Sequence, residues 1–175
     1  MSYLISAVII LVAILSFIAL FDEAREAIKA RQRLRHKSDK DRLIARAAGM
    51  TGQMHKMDAM LFQQLVIHIY EDSGYRTKLL AVGKESALLL EKNGFYTLMA
   101  YKNHAWPISR EAVEIFYYHK TKMGLDAMMV ISTGGFNLSA WEWAKDHQEI
   151  KLINEDGFVD LCNEIASPPS LEYSA

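Results

Sequence analysis

Glu85 and Lys102 are the residues of this 175-residue chain on which phosphate chemistry could rest. A carboxylate can hold a divalent cation and an ammonium can neutralise a developing anionic oxygen. Brought together, the two would give one element a charged end. The sequence between them supplies the means. Asn93-Gly94 suits a two-residue type I′ turn, whose central positions both need positive φ. With that turn Lys92 faces Phe95, and the register sets Leu89 against Leu98, Ala87 against Ala100 and Glu85 against Lys102. Side chains alternate along strands, so these last three pairs share one face. A plain ion pair is the simpler use of the two charges, worth roughly 0.2–1 kcal/mol across neighbouring strands. A single carboxylate is also a poor magnesium site. Glu91 falls opposite Tyr96, far from Lys102.

The remaining reactive residue types offer less. Cys162 is the single cysteine, which excludes an internal disulfide and any multi-cysteine metal site. His68 and His119 have no second ligand one helical turn away, which argues against zinc. Ser132 and Thr133 lack His and Asp partners at a recognisable spacing, and their hydroxyls are expected to cap the following helix. His104 and Trp106 follow the hairpin, where they could meet a phosphate or a base. Trp141 and Trp143 cannot share a helical face, so one belongs to the core and the other to a surface.

Positioning the hairpin requires a mixed α/β frame. Asp58 caps a helix marked by Leu61/Phe62, Leu65/Val66 and Ile69/Tyr70, which Gly74 ends. A strand at 75–81 precedes the hairpin, and Ser109 caps a second helix that closes at Gly124. Residues 127–133 read as a buried strand, and LSAWEWAKDH as a third helix whose Ala140 and Ala144 allow close packing on the sheet. EIKLIN is a last strand, Asp156-Gly157 a turn, and FVDLCNEIA a final helix stopped by Pro168-Pro169. The order is α-β-β-β-α-β-α-β-α.

Upstream, residues 3–21 form a run of nineteen whose only polar side chains are two Ser and a Tyr. That is enough to cross a hydrocarbon core of about 30 Å. No basic n-region precedes the run and Asp22-Glu23 follows it, so a retained anchor fits better than a cleaved signal. Residues 22–47 read as a basic juxtamembrane helix, with Arg31, Arg33, Arg35 and Lys37 able to meet anionic headgroups or phosphate. From Asp22 to Arg46 there are nine Lys/Arg against five Asp/Glu, an excess that places the following domain on the cytoplasmic side. The expected topology is a single pass through the inner (cytoplasmic) membrane, N-terminus outside. Residues 48–56 read as a linker, 57–166 as the domain and 167–175 as a flexible tail. From Asp58 onward ten Lys/Arg face sixteen Asp/Glu, which opposes strong duplex binding. Lys78, Lys84, Lys102, Arg110, Lys120 and Lys122 could still gather at the hairpin's mouth, with Lys84 and Arg110 the candidate DNA contacts. Were they scattered instead, a scaffold would be favoured.

Residues 58–166 resemble the Mrr-type restriction endonucleases, a branch of the PD-(D/E)xK nuclease fold. The pieces that match are Phe62-Gln63, Gly74-Tyr75, Glu85-Ser86-Ala87, Ala100-Tyr101-Lys102, Ser132-Thr133, Gly135-Phe136-Asn137, Ala140 with Ala144, and Leu152-Ile153-Asn154. The resemblance implies a restriction-endonuclease-like core, which the expected transmembrane helix at 3–21 precedes. It also implies a site in which a hairpin Asp, and a Glu or Gln two residues before a Lys, hold a divalent metal. Here Ala87 and Ala100 occupy those two positions, Gln63 replaces the acidic residue of the first helix, and Lys102 is retained. Glu85 is the surrogate carboxylate if any metal binds.

Three functions fit. One is a membrane-tethered, catalytically degenerate module that binds DNA or a DNA-processing partner and needs no cofactor. Another is an active Mg²⁺-dependent endonuclease using Lys102 and Glu85. The third is a protein scaffold in a membrane assembly, making contacts with other membrane proteins.

Overall fold

A computed structural model of the chain describes residues 25–166, with residues 27, 33 and 36 excepted. The expected membrane span at 3–21, the tail at 167–175 and Arg33 of the basic run lie outside the described residues. Among the described residues no helix is long and apolar enough to cross a membrane. The chain divides into two units, Met1–Lys40 and Asp41–Ala175. In the first, the described residues from 25 to 40 are helical, Lys29 pairs with Glu26 at 2.6 Å, and Arg31, Arg35 and Lys37 are exposed.

The second unit holds one five-stranded mixed sheet: β1 (Arg76–Val82), β2 (Glu85–Lys92), β3 (Phe95–Lys102), β4 (Ala127–Ser132) and β5 (Ile150–Ile153), lying side by side in that order. The first three strands form an antiparallel meander, and β3, β4 and β5 run parallel. Parallel neighbours need crossovers. These are supplied by α2 (Arg110–Lys122) and α3 (Leu138–Lys145), while α1 (Ala59–Asp72) and α4 (Glu155–Ala166) flank the sheet in sequence.

Alternation sorts the sheet's side chains into two cores. Ala87, Leu98, Ala100, Met128, Val130 and Leu152 pack with Val113 and Phe116 of α2 and Ala140 and Ala144 of α3. Leu88, Leu90, Met99, Ile131 and Ile153 pack on the other side with Phe62, Leu65 and Ile69 of α1 and Phe158 and Cys162 of α4. Helix starts follow the capping residues. Asp58 accepts from the Met60 and Leu61 amides at 2.9 and 3.2 Å, Ser109 from Ala112 at 3.4 Å, and Asn137 from Ala140 at 2.9 Å.

Three expectations change. The stretch 48–56 is not a loose linker. Residues 41–48 are helical, and Ile44, Ala47 and Met54 lie fully within the core beside α1 and α4. Gly49 and Gly52 do bend the chain, but the bend is closed by Met50 N–H to the Ala47 carbonyl at 3.0 Å and by the Met54 amide donating to Glu155 at 2.6 Å. Second, Asp156-Gly157 is helix rather than turn. Asn154 caps α4 by accepting from the Gly157 amide at 3.1 Å, so helical geometry begins before the glycine that suggested a turn. Third, Ser132 and Thr133 do not cap α3; Asn137 takes that role and Thr133 turns to another loop.

Candidate functional site

The hairpin adopts the expected register, with Ala87 opposite Ala100, Leu89 opposite Leu98 and Lys92 opposite Phe95. Its turn is set by positive φ at Asn93 (56°) and Gly94 (79°). One step beyond the alanines, the Lys102 ammonium pairs with the Glu85 carboxylate. Glu85 is 52% exposed, so this pair belongs to the class worth about 0–1 kcal/mol in water. The Lys102 ammonium also lies 5.9 Å from the centre of the Phe116 ring.

Ala87 and Ala100 are both at 0% exposure, within the cluster that includes Val113, Phe116 and Val130. A divalent ion needs about six oxygen ligands, and this spot offers two buried methyl groups. Among the described residues no three of His, Cys, Asp and Glu come together. The side chains present do not fit the metal that the resemblance implies. Gln63 does not complete the site either. It accepts a hydrogen bond from the Tyr101 hydroxyl at 2.8 Å, and Tyr101 packs against the α1 side of the sheet, opposite the face of Ala100.

Lys102 instead borders a cavity of about 460 Å³, lined by Lys102, His104, Trp106, Ile108 and, from the start of α2, Ser109 and Ala112. The loop leaving β3 forms one wall and is tightly held. The His104 amide donates to the Thr133 hydroxyl oxygen at 3.0 Å, and that hydroxyl's proton faces the His104 carbonyl at 3.0 Å and Asn103 Oδ1 at 3.1 Å. Asn103 Nδ2 donates to the Met57 carbonyl at 2.6 Å. Downstream, the Ile108 amide donates to Gly135 and the Asn137 amide to Ile108, at 2.9 and 3.0 Å. Gly134 passes so close that a Cβ there would lie 2.6 Å from the His104 carbonyl oxygen and nearer still to that of Trp106. Two buried polar atoms border this region without a partner, His104 Nδ1 and the Ser132 hydroxyl, the latter paired in strand register with Lys102.

None of the other expected cations lines this cavity. Arg110 is exposed and its Nε pairs with Glu114 at 2.7 Å. Lys84 lies exposed in the turn between β1 and β2. Lys120 approaches Glu149 at 3.9 Å near the far end of α2, about 15 Å along the helix from Arg110 at 1.5 Å per residue. At the start of α2, a hydrogen bond from the Ser109 hydroxyl holds the Glu111 carboxyl below its ordinary range. Of the tryptophans, Trp143 packs edge-on to Tyr117 with ring centres 5.4 Å apart, and Trp141 is partly exposed beside Phe136. The cavity's His and Trp were legible as neighbours of Lys102 at two-residue spacing, but nothing local marked Gly134 as the residue on which they rest.

A family model described as Restriction endonuclease (Mrr_cat) matches residues 54–162. The chain belongs to this restriction endonuclease family. No curated protein matches. Among solved structures, the Mrr-type domain is similar to a protein of unknown function, AF1548, at 17% identity and a TM-score of 0.43, over 51% of this chain and 54% of that one. It is also similar to the DNA modification-dependent restriction endonuclease AspBHI at 11% identity and a TM-score of 0.46, over 74% of this chain and 36% of that one. The chain thus spans about half the length of the first of these structures and about a third of the second.

Proposed function

We propose that this chain is a membrane-tethered, catalytically degenerate restriction-endonuclease-like module that engages DNA or a DNA-processing partner without cutting duplex DNA. The observation that carries the reading is the pair Ala87 and Ala100, directly opposed and fully buried where two metal ligands would be needed. Removing both ligands removes the activated water and the charge neutralisation that phosphodiester hydrolysis requires. Lys102 then serves as an anion contact, competing with its bond to Glu85. In this reading residues 3–21 anchor the chain in the inner (cytoplasmic) membrane, N-terminus outside, and the Lys/Arg excess of residues 22–46 keeps the domain on the cytoplasmic side.

The test is a plasmid-nicking assay on the full chain with Mg²⁺ or Mn²⁺. No cleavage above a metal-free control is expected. Metal-dependent nicking that disappears in Lys102→Ala would overturn the reading in favour of an active enzyme built on Lys102 and Glu85. A scaffold role is the second reading, favoured by the absence of Lys84, Arg110 and Lys120 from the cavity's lining and by the acidic balance after Asp58. Weak, salt-insensitive association with plasmid DNA is the result that would move the balance toward it.

A further inference from the structure

The cavity beside Lys102 has a composition that duplex binding does not explain. Its lining carries one ammonium (Lys102), one imidazole (His104), one hydroxyl (Ser109), the Phe116 ring and the Trp106 indole, which is 78% exposed. An exposed tryptophan on a loose loop would mean little. Trp106 sits on a loop fixed at both ends by Thr133 and Gly135 and pressed against Gly134, so its main chain is set before any ligand arrives. Such preorganisation lowers the ordering cost of binding.

We infer that this cavity binds a single phosphorylated nucleoside, its phosphate on Lys102 and its base stacked against Trp106. This rests on the reading that the site binds without cutting. Charge decides between a nucleotide and a duplex backbone. Duplex affinity grows with the number of phosphates neutralised, and Lys102 is the one cation lining the cavity, with Arg110 held by Glu114 nearby. One phosphate matches one lysine, and stacking on an aromatic face supplies the sequence-tolerant remainder. The amides opening α2 offer further polar partners, although Ser109 and Glu111 already satisfy part of that helix start. The volume, about 460 Å³, lies within the range of roughly 300–1,000 Å³ usual for small-ligand clefts. Glu85 is the built-in competitor, since its carboxylate must release Lys102 before the phosphate can take its place.

Calorimetric titration of the detergent-solubilised full chain with thymidine 5′-monophosphate tests this. Saturable binding is expected, weakened about tenfold or more in Trp106→Ala and in Lys102→Gln, and weaker by a similar factor for thymidine or inorganic phosphate alone. Trp106→Phe, which keeps a ring, should retain most of the affinity, and Glu85→Gln should tighten binding severalfold. Circular dichroism of each variant confirms that the fold survives. Absence of saturable binding, or a dissociation constant unchanged in both Trp106→Ala and Lys102→Gln, overturns the inference. A 5′-phosphorylated single strand that displaces the nucleotide at lower concentration identifies a strand end as the source, and failure to displace it identifies free nucleotide. The nicking assay is scored separately: no nicking with no nucleotide binding defeats this inference alone, whereas metal-dependent nicking defeats the degenerate reading.

Discussion

Two methyl groups and one thiol carry the clearest consequences at the scale of single residues. Ala87 and Ala100 are sealed into the core beneath α2, so carboxylates placed there without a metal would be buried and unpaired. Ala87→Asp combined with Ala100→Glu should cost about 3 kcal/mol or more in EDTA, read as a fall in melting temperature. Mn²⁺ should recover part of that loss by supplying the missing counter-charge. A double variant as stable in EDTA as the parent would mean that the spot is not the dry, packed one seen here. Cys162 is fully buried on α4, and burial pushes its thiol up to about 12 from an ordinary 9.0. It should resist a thiol reagent at pH 8 in the native protein and react at once in denaturant, because the thiolate is the nucleophile.

At the scale of elements, the β3–α2 loop and the β4–α3 loop function as one piece. Gly134 is where they touch, and its missing side chain is what lets the Trp106 and His104 carbonyls approach. Gly134→Ala should therefore destabilise the domain by about 1–3 kcal/mol, since the obstacle is backbone and not a yielding side chain. The same substitution should displace Trp106, which a change in tryptophan emission would report. The hairpin turn is a milder case. Gly94 is at φ 79° with open space around it, so Gly94→Ala should cost only the left-handed penalty of about 1–2 kcal/mol by urea titration.

On the scale of the whole molecule, the core extends upstream of the first expected domain helix. Ile44, Ala47 and Met54 are buried, and Met54 is tied to Glu155 of α4. A fragment starting at residue 41 should melt well above one starting at residue 57, and Ile44→Ala should cost about 2–5 kcal/mol by leaving a cavity. Equal melting of the two fragments would contradict this packing. Alkaline stability is a second whole-molecule property. Cys162 and Tyr70 are both raised, first of all by burial, with Tyr75 adding to the shift of Tyr70. Well below the ordinary thiol value of 9.0 both are protonated whether folded or not, so they add no pH dependence there. As pH rises toward and past 9 the unfolded chain releases these protons first, Cys162 before Tyr70, and stability should fall progressively through pH 12. Denaturant midpoints measured from pH 8 to 11 would check the sign.

The hairpin register, the order of the elements and the pairing of Ala87 with Ala100 were legible in the residues themselves. Each depends on short-range rules, namely positive φ at Asn93-Gly94, alternation along two adjoining strands and apolar spacing within single helices. The cap of α4 was misread because the glycine at 157 signals a turn as readily as it permits the close approach of Asn154. Tertiary structure alone decided which side of the sheet Gln63 occupies, that Lys102 is the cation lining the cavity, and that Gly134 braces the loop bearing His104 and Trp106. It also decided that Ile44, Ala47 and Met54 belong to the core. Those features arise where β4 pairs with β3 across a helical crossover and where α4 returns to the start of the domain. Contacts between segments so distant in the chain depend on the packing of every element between them, and no local preference encodes them.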